Sequence, residues 1–276
     1  MRDFVFEGAT AVVTGAASGM GLELARILAS RGTNLALVDR DADGLAALAS
    51  EIGSRVTVTT HVVDLSQYSD FTSLVAEVEA AHAPVTLLIN NAGVALGGAF
   101  ADLSMDDIDW IMTINFRSLV AMTKAFLPAL MQTEGSHLVN TSSLFGLIAP
   151  VGQSAYVASK FAVRGFTESI RGELLPRVGV TVVHPGGIAT NIATNARLGA
   201  GVRADQAERS RKQINAMLTM PASTAAGLII RAIEKRQDRL VITSQAKALD
   251  RLSRLMPSRY IALVNRNMGG RPKKKR

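Results

Sequence analysis

The sequence predicts an α/β domain built on a doubly wound parallel sheet, with a basic helical extension at its C-terminus. Three observations point there. The chain has 276 residues, 48% hydrophobic and 19% charged, which suits one domain with a large core. Short apolar runs alternate with segments of helical periodicity, the order that puts helices on both faces of parallel strands. A strand, a glycine-rich turn and a helix also follow one another without a break over residues 9–28.

Strands are expected near residues 9–13, 34–38, 56–63, 85–89, 136–141, 179–183 and 239–243. The first, Ala9-Thr-Ala-Val-Val13, runs into Thr14-Gly-Ala-Ala-Ser-Gly-Met-Gly21 and then into the helical run Leu22–Leu28. Gly15, Gly19 and Gly21 let backbone approach a pyrophosphate, with Ser18 and Met20 in the same turn. The helix start offers free N–H groups and the positive end of a dipole. Glycines at a strand end also serve plain tight turns, so this spacing alone does not decide the matter.

The second strand, Asn34–Val38, ends at Asp39. An acid about 20 residues past the glycines can accept hydrogen bonds from ribose hydroxyls, and its charge repels a 2′-phosphate. That favours NAD over NADP. Arg40 keeps NADP open, because an arginine there can pair with that phosphate, whereas Ser18 stands where a basic residue would have strengthened the NADP case. The alternative for Asp39 is a strand-end turn cap.

Tyr156 and Lys160 are four residues apart and share a helix face, and Ser143 lies thirteen residues before the tyrosine. A nearby ammonium should lower the phenol pKa from about 10 toward working pH. Such a phenol takes a proton from an alcohol or gives one to a carbonyl, and Ser143 can donate to the same substrate oxygen. The bare pair, without the upstream turn, would read as a buried aromatic beside a solvated lysine.

Taken together these residues resemble the short-chain dehydrogenase/reductase family, whose fold is a single Rossmann domain. The resemblance extends through Asp64 and Leu65 after the third strand, the Asn90-Asn91-Ala92-Gly93 turn, Asn115, Pro185-Gly186 and Thr190, in the family's order from residue 14 to 190. It implies that Asp64 contacts adenine and that Asn91, Ala92 and Gly93 line the cofactor. Asn115 would hold a water in a proton relay, and Lys160 would bind the nicotinamide ribose. Thr190 and the backbone near Ile188 would orient the nicotinamide. It also implies a dimer or tetramer in which helices around Asp106–Gln132 and Tyr156–Leu175 pair across two-fold axes. The implied division is a catalytic domain over 1–245 and an extension over 246–276. The cofactor site lies mostly in 9–115, the catalytic and substrate part in 116–245, and a variable lid over about 191–220.

The lid holds Arg197, Arg203, Arg209, Arg211 and Lys212 against Asp205 and Glu208. It reads first as a solvated face and second as a contact for an anionic substrate handle. Ile192, Met217 and Leu218 can close with Leu96, Phe145 and Ile188 around an apolar substrate. Residues 231–276 carry fourteen Lys or Arg and three acids, net +11, so residues 1–230 are at −4 within a chain of +7. Leu249, Leu252, Leu255 and Met256, then Tyr260, Ile261, Leu263 and Val264, recur at helical spacing before the end Gly270-Arg-Pro-Lys-Lys-Lys-Arg276. This tail reads first as a helix packed on its own domain or a partner subunit. Anionic membrane contact comes second, and nucleic acid a distant third.

The chain has no cysteine, no secretory pattern before the first strand and no apolar run of membrane-spanning length, which fits a cytoplasmic protein. His61, His82, His137 and His184 lack ligand-like spacing, so no metal is expected. The reading is an NAD-preferring oxidoreductase acting on a secondary alcohol or ketone, with a hydrophobic or lipid-like substrate. The alternatives are a catalytically silent dinucleotide sensor or scaffold, and a membrane- or DNA-binding protein acting through its tail.

Overall fold

The computed structural model describes residues 2–67, 70–192, 194–202 and 218–267, with side chains to Val264. Arg203, Asp205, Glu208, Arg209, Arg211, Lys212 and Met217 of the expected lid, and the basic end Gly270–Arg276, lie outside the described residues.

Seven parallel strands form the central sheet. They are β1 (Thr10–Thr14), β2 (Asn34–Asp39), β3 (Val58–Val62), β4 (Leu87–Asn90), β5 (Ser136–Thr141), β6 (Val178–His184) and β7 (Arg239–Val241). Their order across the sheet is β7-β6-β5-β4-β1-β2-β3. Every residue of β1, β4, β5 and β6 is buried, as expected of parallel strands covered on both faces. The chain winds one way from β1 to β3 and the other way from β4 onward. That reversal opens a crevice at the C-terminal ends of β1 and β4, which pair Val12 with Leu88 and Val13 with Ile89.

Helices α1 (Gly19–Ser30) and α2 (Ala42–Ile52) cover one face with Leu24, Leu28, Leu45 and Leu48. Helix α3 (Thr72–Ala81) covers the other. Helix α4 (Met105–Met112) starts in a capping box, in which Ser104 and Asp107 satisfy each other's backbone N–H groups. It passes through a π turn at Thr113–Arg117 into α5 (Ser118–Gln132), which packs Met122, Phe126 and Leu130 onto the sheet beside α3. Then come α6 (Ser154–Leu174), α7 (Ala222–Glu234), α8 (Ser244–Leu255) and α9 (Tyr260–Asn267). Short strands pair Leu96–Gly97 with Arg197–Leu198, and Ile188–Ala189 with Met220–Pro221.

After β7 the chain turns at Thr243, which caps α8 by accepting from the Ala246 N–H. Ala246 is buried against Gly186, where a Cβ would stand 3.0 Å from the alanine methyl. Asp250 accepts two bonds from Arg239, at 2.7 and 3.1 Å, and one from Arg254 at 3.2 Å. The Ala149 N–H donates to the Tyr260 hydroxyl at 3.2 Å. Buried His137 bonds Thr181 at 2.8 Å through Nε2 and accepts from Arg236 through Nδ1 at 3.2 Å. Among the described residues, no helix is long and apolar enough to cross a membrane.

Candidate active site

The glycine turn sits in the crevice as the sequence suggests, and packing explains its composition. Gly15 has φ +69° and backs onto the Asn91–Ala92 backbone, where a Cβ would come within 2.9 Å of Ala92 Cα. A Cβ on Gly21 would stand 1.9 Å from the Gly15 carbonyl oxygen, so α1 can start this close to β1 only with glycine there. Ser18 precedes α1, yet its hydroxyl does not cap the helix. Met20 packs against the core. Thr190 closes from the far side, its methyl 3.2 Å from where a Gly19 Cβ would be.

Thr14 ties this turn to the next. Its hydroxyl accepts from the Asn91 and Ala92 N–H groups, both at 3.0 Å, and Asn91 Nδ2 donates to the Thr14 carbonyl at 3.2 Å. Asn91 Oδ1 is buried with no hydrogen-bond partner among the described residues. Asp39, at the end of β2, accepts from the Ala17 N–H at 3.0 Å and from the Asp41 N–H at 3.2 Å. It therefore does the turn-capping work at the C-terminal end of β2, the strand beside β1. Asp64 accepts from the Ser66 N–H and hydroxyl at 2.9 and 2.8 Å. Those bonds, helped by the Arg40 charge, hold its carboxyl below the ordinary range. Leu65 packs beneath, against the core of α3 and α5.

Ser143, Tyr156, Lys160 and Asn115 come together beside this cradle from three elements. Ser143 follows β5; its hydroxyl accepts from the Phe145 N–H at 3.1 Å and lies close enough to the Tyr156 phenol to lower its pKa. Tyr156 and Lys160 lie one turn apart on α6, and the Lys160 ammonium stands 5.9 Å from the tyrosine ring centroid. Lys160 Nζ also donates to the Thr141 carbonyl at 3.1 Å. A Cβ on Gly93 would lie 3.1 Å from Lys160 Nζ and 3.3 Å from Asn115 Oδ1, so glycine there lets both side chains reach the turn. Asn115 lies in the π turn, a departure from the plain helix expected. Its carboxamide accepts from the Val94 N–H at 2.8 Å and donates to the Val94 carbonyl and the Ser159 hydroxyl, both at 3.0 Å.

One expectation needs correction. Lys160 was expected to lower the Tyr156 pKa. Burial instead pushes the phenol above its ordinary value, and the Ser143 hydrogen bond offsets this only in part. Burial also brings Lys160 down to about 8. Lys160 is buried and Tyr156 half-buried, and the ammonium is already engaged with the Thr141 carbonyl, so desolvation outweighs attraction.

The geometry can be set beside known proteins. The family model described as short chain dehydrogenase matches residues 9–200. The chain belongs to the short-chain dehydrogenase family. SadH of Mycobacterium tuberculosis is 42% identical over 265 residues, covering 94% of this chain and 95% of that one. Dehydrogenase/reductase SDR family member 7B of Bos taurus is 32% identical over 272 residues, covering 96% and 82%. Among solved short-chain dehydrogenases, one from Burkholderia phymatum in complex with NAD superposes with a TM-score of 0.82 at 28% identity, covering 99% of both chains. Another, from Burkholderia cenocepacia in complex with NADP, has a TM-score of 0.75 at 28% identity, covering 88% and 99%.

Two features of this short-chain dehydrogenase escaped the sequence reading. His184, to which no chemistry was assigned, is fully buried and its Nδ1 lies 3.1 Å from the Ser143 carbonyl oxygen. With Ser142 N–H on the Val183 carbonyl and Leu144 N–H on the Pro185 carbonyl, it clips the serine loop to the end of β6. Gly186 lies against Leu144 in the same clip. The pairing of a histidine with a carbonyl 41 residues away leaves no local signal. Second, Arg197 bonds buried Asp107 at 3.0 Å and covers Trp110 at 5.1 Å, fastening the short strand Arg197–Leu198 to α4. Ile188, expected to face substrate, is buried in the core with α1 and α7.

Proposed function

We propose that this chain is an NAD-preferring oxidoreductase that interconverts a secondary alcohol and a ketone, with Tyr156 as the general acid/base. The observation that carries the reading is the meeting of Ser143, Tyr156, Lys160 and Asn115 beside a glycine cradle. That cradle fits a dinucleotide on three grounds. Gly15, Gly19 and Gly21 let the turn close against Ala92, Thr190 and the start of α1, so the N–H groups of that helix start are offered to phosphates. Asn91 Oδ1 is a buried acceptor without a partner among the described residues, and Asp39 stands at the end of β2, where ribose hydroxyls would arrive. The related NAD- and NADP-bound structures agree with it. Bound there, a nicotinamide supplies or takes up hydride.

The side chains do the rest. Tyr156 passes a proton to or from the substrate oxygen, and Ser143 donates a hydrogen bond to that oxygen. Lys160, protonated below about pH 8, offsets charge as the phenol ionises. Asn115 holds Val94 and so fixes the Gly93 turn against Lys160, with a water relay as its further role. Asp39 favours NAD by repelling a 2′-phosphate, and Arg40 is drawn toward Asp64. A hydrophobic or lipid-like substrate suits the surroundings of Tyr156. The Phe145 ring meets it edge-on at 6.0 Å, and Leu96, Ile111 and Ala155 pack beside it. Pairing of α5 and α6 with a second copy would build the oligomer.

Tyr156→Phe tests this directly. It should cut turnover by about 10²- to 10⁴-fold and leave dinucleotide affinity near that of the unmodified protein. Near-normal turnover on an identified alcohol or ketone would exclude Tyr156 as the acid/base. Dinucleotide binding by the unmodified protein, with no turnover across a broad substrate panel, would favour the sensor alternative. Asp39→Ala should narrow or invert the NAD preference, read as the ratio of the two dissociation constants.

A further inference from the structure

The last two helices carry a surface that this activity does not use. Helix α8 turns Ala246 and Asp250 inward and leaves Lys247, Arg251, Arg254 and Leu255 exposed, Leu255 at 81%. Helix α9 buries Val264 and leaves Ile261 and Leu263 exposed. Leu255 thus stands in water, and Ile261 and Leu263, each 38% exposed, flank buried Val264 within a basic surround that Arg259 extends. Asp250 is the only acid after residue 238, and Arg239 and Arg254 already occupy it.

We propose that this face docks on an anionic lipid bilayer. Its chemistry selects that occupant. Lys247, Arg251, Arg254 and Arg259 against Asp250 leave the face net positive, which calls for an anionic partner. A nucleic acid would meet the charge but give Leu255, Ile261 and Leu263 nothing apolar to enter. A second copy would cover the apolar groups but bring like charge against like charge. A bilayer interface meets both needs, since branched side chains enter the acyl boundary while Lys and Arg meet lipid phosphates. The place in the fold matters too. Tyr260 bonds Ala149, in the segment between Ser143 and α6, and Gly152 of that segment accepts from the Gly98 N–H. Docking would therefore set the catalytic side of the sheet next to the membrane. That last link, to a lipid-like substrate, rests on the proposed activity; the docking itself does not.

The test is sedimentation of the full chain with vesicles of phosphatidylcholine alone, or mixed with phosphatidylglycerol, at low and high salt. Binding to the mixed vesicles only, and its loss as salt shortens the screening length from about 8 Å toward about 3 Å, is the expected result. The combined variant Leu255→Ser, Ile261→Ser, Leu263→Ser keeps every charge and should weaken binding by at least about tenfold, at about 0.8 kcal/mol per CH₂ removed from the acyl boundary. Circular dichroism verifies that it stays folded. Arg251→Ser with Arg259→Ser should weaken it as well. No sedimentation with either vesicle, equal sedimentation with both, an unaffected apolar variant, or preference for duplex DNA over the mixed vesicles would each overturn the proposal. Tyr156→Phe should bind vesicles like the unmodified protein, which keeps failure of the docking distinct from failure of the catalytic reading.

Discussion

Two buried histidines should make this protein lose stability well above the pH at which most proteins acid-denature. His137 and His184 are both fully buried, and burial pushes each from 6.5 down to about 3, with the Arg236 charge adding to the effect at His137. Their bonding requires the neutral form. His137 Nδ1 accepts from Arg236, so a proton there would face a guanidinium. Among the described residues His184 Nε2 is buried without a partner, so a proton there would find no acceptor, and the bond to the Ser143 carbonyl opposes this only in part. The folded chain therefore binds fewer protons than the unfolded chain wherever pH lies below about 6.5. Both groups are neutral in both states above that value, so the stability is fully present there. It is lost as pH falls from about 6.5 toward about 3. At pH 5 each histidine costs about 2 kcal/mol, so the pair removes about 4 kcal/mol, a large share of the roughly 5–15 kcal/mol that holds a native protein together. Urea unfolding at intervals from pH 7.5 to 5 measures this as a falling midpoint. His137→Gln, which keeps an amide donor for Thr181 and cannot titrate, should remove about half of the slope. A midpoint that stays flat over that range would refute the reasoning, because two histidines that titrate normally in the fold cost nothing on acidification.

Thr14→Val removes the acceptor shared by the Asn91 and Ala92 N–H groups. It should cost about 1–3 kcal/mol in chemical denaturation and weaken dinucleotide binding, whereas Thr14→Ser should retain both. His184→Ala should lower kcat by about 3- to 10-fold by freeing the Ser143 loop, and His184→Asn, which can still donate to the carbonyl, should recover most of it in steady-state assays. Trp110 is the only tryptophan in the chain, so its fluorescence reports on the Arg197 contact without ambiguity. Arg197→Met should shift that emission and destabilise by about 1–2 kcal/mol, since buried Asp107 loses a partner that is itself partly exposed.

The order of elements, and which residues come together beside the glycine turn, were decided by local sequence. Short apolar runs such as Asn34–Val38 bury both faces of a parallel strand, and that leaves a signal in consecutive residues. Gly15 and Gly21 announce a backbone approach closer than a Cβ allows, and Tyr156 with Lys160 share a face because the helical repeat puts them there. What only the tertiary structure decided depends on burial and on partners far away in the chain. The sequence puts an ammonium near a phenol; the folded site adds the desolvation that outweighs it and sends the Tyr156 pKa up. The π turn at Asn115 is tied to bonds with Val94 and Ser159, 21 and 44 residues away. His184 supports Ser143 across two strands, and Arg197 meets Asp107 only because the strand Arg197–Leu198 runs beside α4. These contacts have no period and no fixed spacing, so water exclusion and chain topology, not local pattern, determine them.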